Sequence, residues 1–599
     1  MMRAPRVVAH AALVLLLAGA AAHATDPAHV LRIEHRIAEN GFDPQAAYDA
    51  YSFQVIAAIF EPLFTYDYFA RPVKLVPLTA AALPEITDGG RTYTLRVKPG
   101  IYFADDPAFN GQRRELVAQD YVYAIQRVLD PKVRSYWLYL FEDHLEGLEP
   151  VLAAARKSGA LDYATPIAGL SLVDRYTFRV RFKDPDFAFQ HWLTTSVFAA
   201  IAREVVEKHG DESRRVNEHP VGTGAYRLKS WTRGQKIVLE ANPGYRDERY
   251  PAPPPGDAAA AEAAKGLTGK RLPLAGLVEI SVLEEAQPRL LSFERGALDL
   301  LELPSSLAAN VLGGATLKPD LAKRGVRLHR QVDPAVNFMF FNLDDPVVGG
   351  YTPAQVALRR AIGMGYDVPA AIHTLQNDQA VPASQPLPPG VPGYDAALKP
   401  VPYDPAAARA LLDRFGFKDR DGDGYRETPD GKPLTIVRGS TTDASARATD
   451  ELWKRSMDAI GIRMVDLKQK WAELNKLSEA GQLMMWGLAW ITSIPDADTF
   501  FSTLYSKNIG TSNDARFRLP EYDRLFEAAR KLPDSPERTA MYRRMTELVL
   551  GYAPWLLQSY SYDNVLAQPW VRGYRQHPFL RAQFRYYDVD RAPGPGAGR

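Results

Sequence analysis

Two aspartates separated by one alanine, Asp496 and Asp498, close the stretch MMWGLAWITSIPDADTFF (Met484–Phe501). Hydrolases that cleave glycosidic bonds use paired carboxylates, one on each side of the bond that breaks. The spacing here opposes that use. In an extended segment the two side chains share a face, and in a helix they point apart, so neither geometry sets them across a substrate. Asp498 precedes TFFSTLY and suits a helix N-cap whose carboxylate accepts a backbone amide. Trp490, just upstream, offers a large rigid wall and one hydrogen-bond donor.

A second acidic run, DRDGDGYRETPD, sets Asp419, Asp421, Asp423 and Gly424 at the first, third, fifth and sixth places of an EF-hand-type calcium loop, with Glu427 and Asp430 at the ninth and twelfth. Aspartate stands where that loop carries its bidentate glutamate, and KPLTIV beyond it reads as a strand instead of an exiting helix. Two readings stay open: a structural calcium ion, and an Asp-Gly turn leading into a strand. No cofactor is expected to be required. The patterns H-E-x-x-H, G-x-S-x-G and Walker A do not occur, and the 11 histidines include no pair at helical spacing. Gly222 and Gly224 in HPVGTGAYRL read as a structural turn, since the run after them alternates like a strand instead of opening a phosphate-binding helix. In FDPQAAYDAYSFQV, Tyr48, Asp49 and Tyr51 lie at a turn before a helix, where they either reach a ligand or cap and pack locally.

These residues need elements to position them. The 599 residues exceed what one core accommodates, so about two to four domains are expected. A net charge of +1 leaves no electrostatic footprint for nucleic acid. MMRAPR, a short apolar run and the small-x-small pattern Ala22, His23, Ala24 read as a secretory leader over residues 1–24, and no later run is long and apolar enough to span a membrane. With no cysteine there is neither a disulfide framework nor a lipid anchor, which predicts a soluble periplasmic protein.

Short β-rich runs alternate with amphipathic segments, the pattern of a mixed α/β protein. RTYTLRVKPGIYF is expected to form a hairpin turning at Pro99-Gly100, and VAQDYVYAIQRVLD a helix beginning near Asp120. ERYPAPPPGDAAAAEAAKG reads as an exposed insertion, and RAPGPGAGR as a disordered tail over 592–599. VNFMFFNL is a buried strand, DPAAARALLDRFGF a helix with Pro405 near its start and Gly416 at its end, and ERTAMYRRMTELVLGYAPWLLQSYSY a helix followed by an apolar strand.

DGGRTYTLRVKPGIYFAD with LVAQDYVYAIQR, HPVGTGAYRL with EANPGY, NFMFFN with ALRRAIGMGYD, YDPAAARALLDRFGF and YRRMTELVLGYAPWLLQ follow one another in an order that resembles the family 5 solute-binding proteins of ABC importers, the peptide-, dipeptide- and nickel-binding type. The resemblance implies a two-lobed periplasmic-binding-protein-like fold of type II, with mixed sheets flanked by helices. It implies lobe I from 25–68, 200–328 and 557–591, an extra domain of lobe I at 69–199, and lobe II at 329–556, with hinge crossings near Val332 and Leu557. A non-enzymatic monomer is implied, which encloses a peptide-like solute and delivers it to an inner-membrane ABC permease. An exported peptide or glycan hydrolase working in the cleft is the alternative. Trp490 matches the tryptophan that opens the family's W-x-x-D block, whose aspartate holds a peptide's amino group; Ser493 stands at that place here. A hydroxyl cannot neutralise an ammonium, so either Asp49 or Asp496 takes over, or the ligand has no free amino end.

Overall fold

The computed structural model describes residues 29–443, 446–580 and 583–591. The leader expected over 1–24 and the tail over 592–599 lie outside the described residues.

Residue patterning accounts for the local elements. Ala118–Leu129 is a helix whose third residue, Asp120, turns back to accept the amide of Val117 at 2.9 Å. Pro405–Arg414 starts from an Asp404 cap and ends before Gly416, which takes a φ of 84°. The expected hairpin at Pro99-Gly100 does not form. Thr92–Arg96 pairs instead with Glu85–Thr87 and Thr177–Arg181, while Tyr102 bridges to Glu115. The turn is real, but the alternation could not reveal that its partners lie elsewhere in the chain. Gly222 and Gly224 are structural as expected: a Cβ on either would lie 2.1 or 2.5 Å from a carbonyl oxygen of the helix end at Ile59 or Ala58.

The buried side chains form separate cores. One extends from Leu31 to Ile280 and takes in Val565, Ala567 and Phe584–Val589; a smaller one joins Leu290–Val326 with Leu566. Two others lie wholly between Val336 and Tyr560. The first lobe contains a four-stranded sheet ordered Val30–His35, Leu277–Val282, Lys236–Ala241, Tyr226–Thr232. The segment 69–199 has its own four-stranded sheet, yet Leu95 and Phe178 from that sheet share one core with Leu31 and Ile280.

An eight-stranded sheet runs through both lobes. Its long strand, Trp555–Ala567, pairs at its start with Ala335–Phe341 in the second lobe and at its end with Arg327–Val332 and Leu300–Glu302 in the first. The chain enters the second lobe at Asp333-Pro334 and returns at Ser559–Ser561. Within Trp555–Ala567, Leu557 pairs with Phe338 and Val565 pairs with His329, so the strand passes from one set of cores to the other between them. Among the described residues no helix is long and apolar enough to cross a membrane.

Candidate ligand-binding cleft

The wall contributed by the first lobe begins at a buried ion pair. Arg127 and Asp43 contact each other with side chains fully buried, and Asp43 also accepts the amides of Gln45 at 3.0 Å and Val216 at 2.9 Å. This fixes the turn that leads to Tyr48, Asp49 and the helix Ala50–Ile59. Asp49 is that helix's N-cap, accepting the amides of Tyr51 at 3.1 Å and Ser52 at 2.7 Å. Its other oxygen takes the Asn40 amide at 3.3 Å. Asp49 is therefore engaged by its own turn, as the capping reading expects. Tyr48 is 60% exposed, its ring 6.4 Å from that of Tyr136.

Tyr51 is buried and donates to Glu302 at 3.4 Å. Burial, reinforced by the Glu302 charge, pushes its phenol above the ordinary range. It lines a cavity of about 70 Å³ together with Glu34, Gln54, Glu302, Asp563, Arg575, Gln576 and His577. Burial pushes the Glu34 carboxyl up to about 7, although Arg289 stands 3.5 Å away and opposes the shift. His577 accepts the amides of Phe579 at 3.1 Å and Leu580 at 3.0 Å through Nδ1, so its neutral ring carries the proton on Nε2. Among the described residues that Nε2 is buried without a partner, as is Oε1 of Gln576. Burial holds the imidazole well below its ordinary value.

In the second lobe, Trp490 sits near the end of the strand Met485–Ile491, opposite Val336. Two residues on, the Thr492 amide bonds the carbonyl of Pro334 at 3.2 Å, which places Trp490 beside the crossing. The indole packs against the second lobe's core, and its N–H is buried without a partner among the described residues. Ser493 is exposed at the bend that follows.

Asp496 and Asp498 belong to the architecture, but not as expected. Asp498 is the first helical residue of Asp498–Phe501 and caps nothing; Asp496 accepts its amide at 2.8 Å. The cap lies two residues earlier because the chain is already helical at Ala497. Asp496 is only 3% exposed and takes Nη2 of Arg538 on both oxygens, at 3.1 and 3.0 Å. Asp498 accepts from Tyr542 at 3.1 Å and faces Arg530 at 3.2 Å. Burial, and after it the Asp496 charge, pushes the Asp498 carboxyl up to about 7. Asp496, expected from the sequence as a candidate ligand acid, is paired with Arg538 in the structure. This network faces the first lobe: Arg530 opposes the burial that raises the Asp186 carboxyl, and adds to the burial that lowers His144.

A sequence profile of the bacterial extracellular solute-binding proteins, family 5 Middle, matches residues 74–512. The chain belongs to that family. It is 27% identical over 510 residues to heme-binding protein A of Haemophilus influenzae, covering 84% of this chain and 83% of that protein. It is 24% identical over 603 residues to di/tripeptide-binding protein 2 of Pseudomonas aeruginosa, covering 98% and 100%. The solved structure of HbpA2 from Haemophilus parasuis superposes with a TM-score of 0.74 at 18% identity, over 94% of this chain and 99% of that one, which speaks to the fold alone.

In this family 5 solute-binding protein the two faces come from different kinds of segment. Trp490 and Ser493 lie within one quoted block, whereas Glu34, Glu302, Asp563, Arg575 and His577 are gathered from distant parts of the chain and carry no local motif. Sequence reasoning missed them; the one usable signal was HPFL after a long apolar strand, a turn whose histidine side chain bonds its own backbone. In the acidic loop, oxygens of Asp419, Asp421 and Asp423 lie within 4.8 Å of one another, each carboxylate accepting a loop amide. Glu427 accepts the Arg420 amide at 2.8 Å, Asp430 pairs with Lys432 at 2.7 Å, and the strand Thr435–Thr441 follows.

Proposed function

We propose that the protein is a periplasmic receptor that encloses a peptide-like solute between its lobes and hands it, unaltered, to an ABC permease in the inner membrane. The observation that carries this reading is a set of buried polar groups without a partner among the described residues, the Trp490 N–H beside the second lobe's core and His577 Nε2 with Gln576 Oε1 at the cavity of the first. Buried groups of this kind are satisfied when a ligand supplies the missing partners. The di/tripeptide-binding relative supports a peptide-like cargo, and the heme-binding relative makes a flat apolar solute the competing one.

In this reading residues 333–334 and 559–561 act as hinges, the segment 69–199 is an added domain, and the receptor works as a monomer. The ammonium of a peptide would be met by the carboxylates that line the cavity, Glu302 and Asp563. Hydrolysis by Asp496 and Asp498 is disfavoured: both carboxylates are held by arginines and share one wall. A structural calcium ion at Asp419, Asp421 and Asp423 is an accessory proposal, supported by the converging oxygens and tested by calcium titration of the melting temperature.

Native mass spectrometry of the purified protein tests the main reading. A ladder of short-peptide masses released intact supports it. A single porphyrin-sized mass would replace the cargo, and cleaved peptides after incubation with a peptide library would replace the receptor by an enzyme.

A further inference from the structure

Away from the cleft, three side chains from separated segments converge on one point. Asp106 lies in the loop closed by the Tyr102–Glu115 bridge, His209 ends the helix Arg203–His209, and His219 precedes the Gly222 turn. Nε2 of His209 lies 3.0 Å from one oxygen of Asp106, and Nε2 of His219 lies 2.6 Å from the other. The two imidazoles stack with centroids 3.7 Å apart, and one ligand atom from each of the three residues falls within 4.8 Å of the others.

Each member is held by backbone structure. Asp106 accepts the Ala108 amide at 2.8 Å; the Gly210 amide after His209 bonds Val206 at 2.9 Å; the His219 amide bonds Val216 at 3.0 Å. The Asp106 side chain is 4% exposed, that of His209 21% and that of His219 44%, so one side of the cluster opens to solvent.

We propose that Asp106, His209 and His219 form a binding site for a divalent transition-metal ion of the zinc class. Two imidazole nitrogens and one carboxylate are the donor set these ions prefer, while calcium and magnesium take oxygen. Metal–donor bonds of about 2.0–2.2 Å put neighbouring donors of a tetrahedral site roughly 3.4 Å apart, so small side-chain rotations seat an ion. Water takes the fourth place on the open side. Metal binding needs Nε2 of both rings as lone pairs, so their protons reside on Nδ1 or leave to solvent. The ion would tie the loop at Asp106 to the segment that carries His209 and His219, reinforcing the bond of 2.9 Å from the Ala104 amide to the Gly222 carbonyl.

The test uses untagged full-length protein, stripped by chelator and titrated with zinc chloride by calorimetry, beside His209→Gln, His219→Gln and His373→Gln. His373 is a control because it is an exposed histidine paired only with Asp378, at 3.1 Å. The expected result is one zinc per chain, a rise in melting temperature at excess zinc, and at least about a tenfold loss of affinity in either of the first two variants, since removing even an outer-shell partner costs about 10–100-fold. His373→Gln should bind as the parent does. His219 is the most exposed of the three, so its variant carries the test if His209→Gln melts early. Cobalt provides a second readout: a visible ligand-field band in the parent that His219→Gln lacks. No stoichiometric binding by the parent, or equal binding and equal cobalt spectra in His219→Gln, would overturn the proposal.

Discussion

The two walls of the cleft are built in opposite ways. On the second lobe a single stretch carries Trp490 and then fastens itself through Asp496, Asp498, Arg530 and Arg538, so the charges hold the segment while the indole N–H has no partner among the described residues. On the first lobe the turn is held by the fully buried Asp43–Arg127 pair, while charged and polar groups from several segments surround a small cavity. The same residue types do different work: on the second lobe both acids are taken up by arginines, whereas on the first Asp43 is locked by Arg127 and Glu34, Glu302 and Asp563 line a cavity.

Removing the lock should produce the largest effect. Arg538→Ala leaves Asp496 buried without its guanidinium, and breaking one side of such a pair costs about 3–5 kcal/mol. Denaturant unfolding checks this, and a loss below about 1 kcal/mol would deny the network its structural role. Trp490→Ala should act on binding, weakening ligand affinity by about 2–4 kcal/mol, roughly 30- to 1000-fold, as loss of a central aromatic anchor does. Its unfolding transition should remain cooperative, and equal ligand affinity in parent and variant would place the ligand elsewhere.

Glu34 probes the first wall through pH. Its folded carboxyl titrates near 7, above the ordinary value, so between about pH 4.5 and 7 the folded state binds more protons than the unfolded state. Stability should therefore fall as pH rises through that window, by at most about 3 kcal/mol, and the penalty should be complete above it. Glu34→Gln should flatten this slope in melting temperatures taken from pH 5 to 8; an unchanged slope would mean that another group sets it. The smallest effect is expected from Asp49→Asn. Asparagine caps a helix as well as aspartate, so stability should change by only about a few tenths of a kcal/mol and binding hardly at all. A large loss of affinity there would restore Asp49 as a ligand contact.

Legibility in the sequence followed contiguity. The helix at Ala118–Leu129, the strand at Ala335–Phe341 and the glycine turn at 222–224 were readable because periodicity, caps and close approach are local. The hairpin at Pro99-Gly100 was misread because strand partners are chosen across the chain: Thr92–Arg96 found Thr177–Arg181. The pairing of Asp496 was hidden for a related reason. Nothing within PDADTFF announces that Arg538, on another helix, claims its carboxylate. The cavity acids and the Asp106–His209–His219 cluster were invisible for the same cause, each being assembled by folding from residues with no mutual spacing.

The central claim is that the two lobes close on a solute about the strands that cross at 333–334 and 559–561. Small-angle scattering tests it most directly, comparing protein carrying its co-purified solute with the same protein stripped by unfolding and refolding. The account predicts a smaller radius of gyration in the loaded form, reverting when the solute is removed. An identical radius in both forms, with occupancy verified by native mass spectrometry, would contradict it.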